Sequence, residues 1–326
     1  MVKEISVSKR IVWVDICKGL GILMVMIVHT GVSSLSTQLN SWMLSFVMPL
    51  FYMLSGMMFN PDKYDTFSKY FNRRFQTLVL PFLVLNTTLF CLAKLINLSN
   101  VQPHWTELFT GVLAMYFIRA LFVSEIWYYL LQRFVERKSV RLLVVVMAII
   151  FCDVLRGVIP EYIGDTRNEA IGVVLPSMPL LYYAIGQLFR TKIISLDIDS
   201  LKLSVILFIM LISIGASLIL IPICKSYLYI LPAGTGIITI VSCSMLLSRY
   251  LKDGLVNTVT YIGTNTLIVV AFHQIIYNGM KVFTQYWHLT KTVDALIRIG
   301  VMFIVLVIII EGVNKYLPWV VGKFKY

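Results

Sequence analysis

Three ionisable residues stand inside an apolar run near the N-terminus, "VDICKGLGILMVMIVHTG", residues 14–31: Asp15, Lys18 and His29. Asp15 and Lys18 are i,i+3 neighbours and can pair on a helix. Lys18 and His29 are eleven residues apart, and eleven steps of ~100° return to within about 20° of the same direction, roughly 16 Å further along the axis. The three therefore share one stripe. A charge at the centre of a lipid-exposed helix costs at least ~2.5 kcal/mol, so the stripe is expected to face a bundle interior or a wet cavity. An imidazole there can take a proton from a hydroxyl or carry a group covalently. The plainer alternative is an interfacial ion pair, with Lys18 snorkelling and His29 touching headgroups.

Other segments repeat the pattern of costly polar groups in apolar surroundings. In "FIRALFVSEIWYYLLQRF", Arg119 and Glu125 are six apart, too far for an i,i+4 pair, so each needs a partner elsewhere. In "YIGTNTLIVVAFHQIIY", His273 follows an apolar stretch, with Thr264, Asn265 and Thr266 about two turns earlier and able to hydrogen-bond across helices. "YFNRRFQTLVLP" places Arg73 and Arg74 at a helix mouth, where guanidinium forks suit phosphate, although ordinary positive-inside anchoring explains them equally. Asp153 and Arg156 are read as a structural i,i+3 pair. Bis-histidine haem ligation by His29 and His273 is disfavoured, since Asp and Lys do not suit a haem pocket. Cys17, Cys91, Cys152, Cys224 and Cys243 form no CxxC and lie in or beside apolar runs, so neither a disulfide framework nor a metal site is expected.

The frame that must hold these residues is a membrane bundle. Of 326 residues, 59% are hydrophobic and 13% charged, against roughly half and a quarter in a soluble domain. Apolar runs fall at about 11–31, 39–59, 75–97, 107–132, 142–159, 170–189, 203–223, 228–248, 258–283 and 295–314, each near the ~20 residues a bilayer requires. The fourth is the least regular, and 104–116 could instead lie along the interface. Nineteen of the 28 lysines and arginines lie in alternate loops: Lys3, Lys9, Arg10; Lys63, Lys69, Arg73, Arg74; Arg133, Arg137, Lys138, Arg141; Arg190, Lys192, Lys202; Arg249, Lys252; Lys315, Lys323, Lys325. Arg167, Lys225 and Lys291 mark the opposite loops. This bias predicts an all-α polytopic membrane protein of about ten helices with both termini cytoplasmic, forming one integral domain over 1–326. The net charge of +12 is then loop charge, and nucleic acid is not expected as a partner. The N-terminal run is read as a retained helix rather than a cleaved signal. Pro49, Pro81, Pro176, Pro179, Pro222 and Pro232 predict kinks around an internal space.

Together these segments resemble membrane-bound acyltransferase family 3, particularly stand-alone members similar to fucose 4-O-acetylases and other glycan O-acetyltransferases. The family's acidic residue, basic residue, ten intervening residues and His correspond to Asp15, Lys18 and His29. Its Pro-Leu-Phe…Ser-Gly-x-x-Phe pattern corresponds to "MPLFYMLSGMMF". "RRFQTLVLP" resembles its arginine segment, "YFIRALF" its aromatic-apolar element and "YIGTNTLIVVAFHQIIY" its late His element. The first basic residue, usually Arg, is Lys18 here, and Gln76 stands where a second arginine often follows.

The resemblance implies transfer of an acyl group, usually acetyl, from cytoplasmic acetyl-CoA to a hydroxyl of an extracytoplasmic or lipid-linked glycan, without a metal. His29 would be the catalytic imidazole. Asp15 would share the cytoplasmic half of the path with Lys18, which with Arg73 and Arg74 would hold the donor. Arg119, His273 and Asn265 would serve the oxyanion or the acceptor, and Glu125 would orient His29 or balance Arg119. A bacterial cytoplasmic membrane is the expected setting, lipid and glycan the expected partners, and a homo-oligomer is compatible. The alternative class is a proton-coupled secondary transporter using the same buried Asp, Lys, His and Glu.

Overall fold

The computed structural model describes residues 11–30, 37–96, 103–158, 174–224, 230–287 and 289–324. The loop cations Lys3, Lys9, Arg10, Arg167, Lys225 and Lys325 lie outside the described residues, as do the side chains of Arg156 and Lys291. The described residues form helices and turns, with no strand among them. The chain is thus an all-α polytopic membrane protein. Among the described residues, eight helical segments are long and apolar enough to span a membrane.

In chain order the helices are α1 (Val12–His29), α2 (Thr37–Met58), α3 (Phe67–Arg74), α4 (Leu80–Leu95), α5 (Glu107–Thr110), α6 (Tyr116–Phe134), α7 (Lys138–Val158), α8 (Ser177–Ile194), α9 (Leu203–Ile223), α10 (Ile230–Tyr250), α11 (Asp253–Thr264), α12 (Thr266–Thr284) and α13 (Lys291–Tyr316). α3 and α4 join through a π-helical turn, Phe75–Val79, into one span. α7 and α8 occupy the positions of the fifth and sixth expected spans, yet are not among the eight. Charged and polar residues interrupt both: Lys138, Arg141 and Asp153 in α7, Gln187, Arg190 and Lys192 in α8.

Two expected spans are redrawn. The run 258–283 is not one helix. It breaks at Asn265, which ends α11 and caps α12. The fourth span starts at Leu113 rather than at residue 107. The segment leading into it folds as a tight turn, with positive φ at Gly111 and Leu113. Asn86 of α4, fully buried, ties that turn down: its amide donates to the Glu107 and Leu108 carbonyls, and its oxygen accepts from the Val112 N–H at 2.7 Å. The Leu108 carbonyl and the Val112 N–H are thereby satisfied, and the Glu107 carbonyl, which also accepts from the Gly111 N–H, gains a second donor.

α1 and α2 form the centre. α1 packs against α2, α10, α11 and α12, while α2 also meets α6, α8 and α9. Two crossings bring backbones close enough to require glycine. A Cβ on Gly19 or Gly263 would collide with backbone across the α1–α11 contact, and one on Gly56 or Gly186 would do so across α2–α8. Small residues at helix crossings are what association in lipid demands. α9 and α13 present long apolar faces outward, as in Phe208, Leu211, Ile304 and Ile308. In a bilayer those faces need no protein partner. Pro49 and Pro222 fall inside helices, and Pro81 stands inside the continuous α3–α4 span just after the π-helical turn. Pro179 and Pro232 sit in first turns and Pro176 caps α8, where no N–H is needed, so fewer kinks form than the sequence predicts.

One end of the bundle, here the basic end, gathers the ends of α2, α6 and α8 and the start of α7. There the Gln187 amide donates to the Gly56 and Phe59 carbonyls, and Arg190 donates to the Met57 carbonyl. His29 closes α1 at the opposite end.

Candidate active site

His29 and His273 come together. Their ring centroids are 5.4 Å apart with planes tilted by 51°. Separated by 244 positions in the chain, they meet because α1 and α12 lie side by side. Their environments differ sharply: His29 is exposed, whereas His273 is only 1% exposed. His273 Nδ1 faces the carbonyls of Val269 at 2.7 Å and Val270 at 3.1 Å. Carbonyls only accept, so Nδ1 carries the proton and Nε2 keeps its lone pair in the neutral ring. That Nε2 is buried and has no hydrogen-bond partner. A buried base without a partner is costly.

The same two helices are latched one turn further on. The Tyr277 hydroxyl, i+4 from His273, donates to the Thr30 carbonyl at 2.5 Å. Arg298 of α13 lies over the Tyr277 ring, 5.6 Å from its centroid, and is paired with Asp294 and hydrogen-bonded to Thr284. Neither Tyr277 nor Arg298 was singled out from the sequence. The i,i+4 spacing from His273, and a charge inside an apolar run, were the signals available.

At the other end of the stripe, Lys18 Nζ lies 3.6 Å from Asp15 Oδ1, as the spacing predicts. Asp15 is buried and Lys18 half-buried, which suits an interior wall better than a snorkelling side chain.

Glu125 departs from expectation. It neither orients His29 nor balances Arg119; its Oε2 pairs with Arg74 Nε at 2.8 Å. Arg74 also covers the Phe59 ring, 4.9 Å from the centroid. Tyr70, Tyr128 and Tyr183, all fully buried, close around this region, and Tyr70 stacks on Tyr129 at 3.9 Å. Arg74 is therefore committed to an internal pair and is not a phosphate ligand at an open mouth. Arg73, its neighbour, points outward and is exposed. The π-helical turn that follows places one extra residue in the helix, a local irregularity common near functional sites.

Asn265 also leaves its expected place. Its amide donates to the Tyr261 carbonyl, and its oxygen accepts from Asn314 at 2.9 Å and from Lys323 at 3.4 Å. It knots the α11–α12 break to the end of α13, eight residues from His273, and is structural rather than acceptor-binding. Arg119 keeps its expected character. Nε and Nη1 are buried without partners among the described residues, and the Tyr52 hydroxyl is the neighbouring group that bears on its charge.

The five cysteines are free, and no metal-ligand cluster occurs among the described residues. The sequence matches the acyltransferase domain family over residues 11–311. The chain belongs to acyltransferase family 3. No curated protein and no solved structure matches it. The match spans every helix from α1 to most of α13, so the acyltransferase domain is the bundle itself. It therefore contains the histidine pair, the Arg74–Glu125 pair and the free guanidinium of Arg119. An acyltransferase needs a base or nucleophile beside a group that stabilises a developing oxyanion. Family membership makes the chain an acyltransferase, and nothing in the match supports the transporter alternative.

Proposed function

We propose that this acyltransferase moves an acyl group, acetyl in the simplest case, from acyl-CoA at the basic, cytoplasmic end to a hydroxyl of an extracytoplasmic or lipid-linked glycan. Both termini would be cytoplasmic and the bacterial cytoplasmic membrane its setting. The single observation that carries this reading is the His29–His273 contact, in which an exposed imidazole abuts a buried one whose Nε2 has no partner.

A sugar hydroxyl is a poor nucleophile until a base takes its proton. With His29 as base, the hydroxyl oxygen attacks the thioester carbonyl as its proton passes to the imidazole. The C–S bond then breaks and the thiolate of coenzyme A leaves, to be protonated. With His29 as carrier, its nitrogen attacks the thioester carbonyl, the C–S bond breaks and the thiolate of coenzyme A leaves; the hydroxyl then attacks the acyl-imidazole, the N–acyl bond breaks and the hydroxyl proton passes to the departing imidazole. In either route His273, with its tautomer fixed by two carbonyls, holds a lone pair ready for a shared proton. The unpaired Arg119 is suited to the oxyanion or the acceptor. Asp15 and Lys18 line the lower part of the path.

The test is product balance. Membranes containing the protein, given labelled acetyl-CoA and a surface-glycan fraction, should release free thiol and label the glycan in equal amounts. Solute uptake without thiol release would contradict the reading.

A further inference from the structure

At the basic end a cavity of about 480 Å³ opens between the ends of α2, α6 and α8 and the start of α7. Arg133, Lys138, Arg141 and Arg190 line it, against one carboxylate, Asp62. From sequence these four are ordinary loop cations. The structure instead gathers them around one half-enclosed space. Arg141 is aimed by bonds to the Val135 carbonyl at 2.6 Å and the Glu136 carbonyl at 2.9 Å. Arg190 is held by the Met57 carbonyl at 3.1 Å, and Arg133 by the Tyr129 hydroxyl at 2.5 Å. Neutral oxygens, backbone for Arg141 and Arg190 and phenolic for Arg133, fix these guanidiniums without neutralising them. Lys138 makes no hydrogen bond among the described residues.

Four cations drawn together beside one acid repel one another, and the arrangement is favourable only with an anion among them. Gln132 and Gln187 add polar walls. Tyr129, one of its lining residues, stacks on Tyr70 beside the Arg74–Glu125 pair. Its volume suits a small-molecule ligand.

We propose that this cavity is the seat of the phosphorylated end of the acyl donor, its 3′-phosphate and diphosphate being held by Arg133, Lys138, Arg141 and Arg190. These phosphates carry roughly three to four negative charges near neutral pH, which matches the cationic excess. The inference rests on the acyl-CoA reading above. It moves phosphate recognition from Arg73 and Arg74, one exposed and one internally paired, to four residues of α6, α7 and α8.

The experiment compares two donors, acetyl-CoA and acetyl-pantetheine, in purified wild-type protein and in Lys138→Gln, Lys138→Glu and Lys138→Arg. Lys138 is chosen because no fold contact depends on its ammonium. Wild type should prefer acetyl-CoA, and salt should raise its KM for that donor. Lys138→Gln should cut the preference ratio in kcat/KM about tenfold, Lys138→Glu further, and Lys138→Arg should restore most of it. An unchanged ratio in Lys138→Glu overturns the phosphate seat while leaving the acyltransferase reading intact. Wild-type protein that turns over neither donor overturns the acyl-CoA reading, and this inference with it.

Discussion

Arg74–Glu125 and His29–His273 are polar pairs of this bundle built to opposite ends. Arg74–Glu125 is closed: the charges meet at 2.8 Å, an aromatic ring covers the guanidinium and tyrosines seal the rest. His29–His273 is open: one ring is exposed, and the other keeps a lone pair with no partner. Opposite charges in contact hold helices together. A neutral base left without a partner is what acid–base chemistry requires. The contrast teaches that an ionisable residue inside a membrane helix is not in itself a reacting group; whether its charge is paired decides.

Substitutions can break this comparison or sharpen it. The largest loss of stability is expected from Glu125→Ala, which strands Arg74; breaking such a pair costs about 3–5 kcal/mol. Thermal unfolding in detergent should show it, and replacing both partners by apolar residues should recover most of the loss. If Glu125→Ala unfolds like wild type yet loses transfer, the closed pair belongs to the chemistry and the comparison fails. His273→Phe keeps the ring volume and removes the lone pair. It should lower kcat about 10²-fold, the scale of one acid–base group, while costing no more than ~1–2 kcal/mol of stability. A large unfolding shift with unchanged kcat would make His273 a packing residue. Tyr277→Phe removes the latch to Thr30 and should cost about 1 kcal/mol, read as a few-fold fall in kcat with little change in donor KM. Arg73→Gln, at an exposed position, should stay within ~0.5 kcal/mol of wild type and leave the donor KM unchanged.

What the sequence revealed was local. The Asp15–Lys18 pair and the stripe reaching His29 follow from helical periodicity alone, because both partners lie on one helix. The spans followed from apolar run length, except at two asparagines: Asn265 stands at the break of one run, its amide turned back to the Tyr261 carbonyl, and Asn86 holds a turn from 21 to 26 positions away that shortens another. Partners on different helices were not legible. Glu125 pairs with a residue 51 positions earlier, and His29 meets one 244 later, and no local spacing encodes either. The cationic cavity was hidden for a different reason. Loop lysines and arginines are expected on topological grounds, so their clustering carries no signal until the loops are folded.

The central claim is that the open pair does the chemistry. The most direct measurement is acyl transfer by purified His29→Ala, followed as thiol release from acetyl-CoA beside its thermal unfolding curve. Transfer should fall by about 10³-fold or more, within the range of a lost catalytic base, with unfolding close to wild type because His29 is exposed. A folded His29→Ala protein that transfers acyl groups at the wild-type rate would contradict the account.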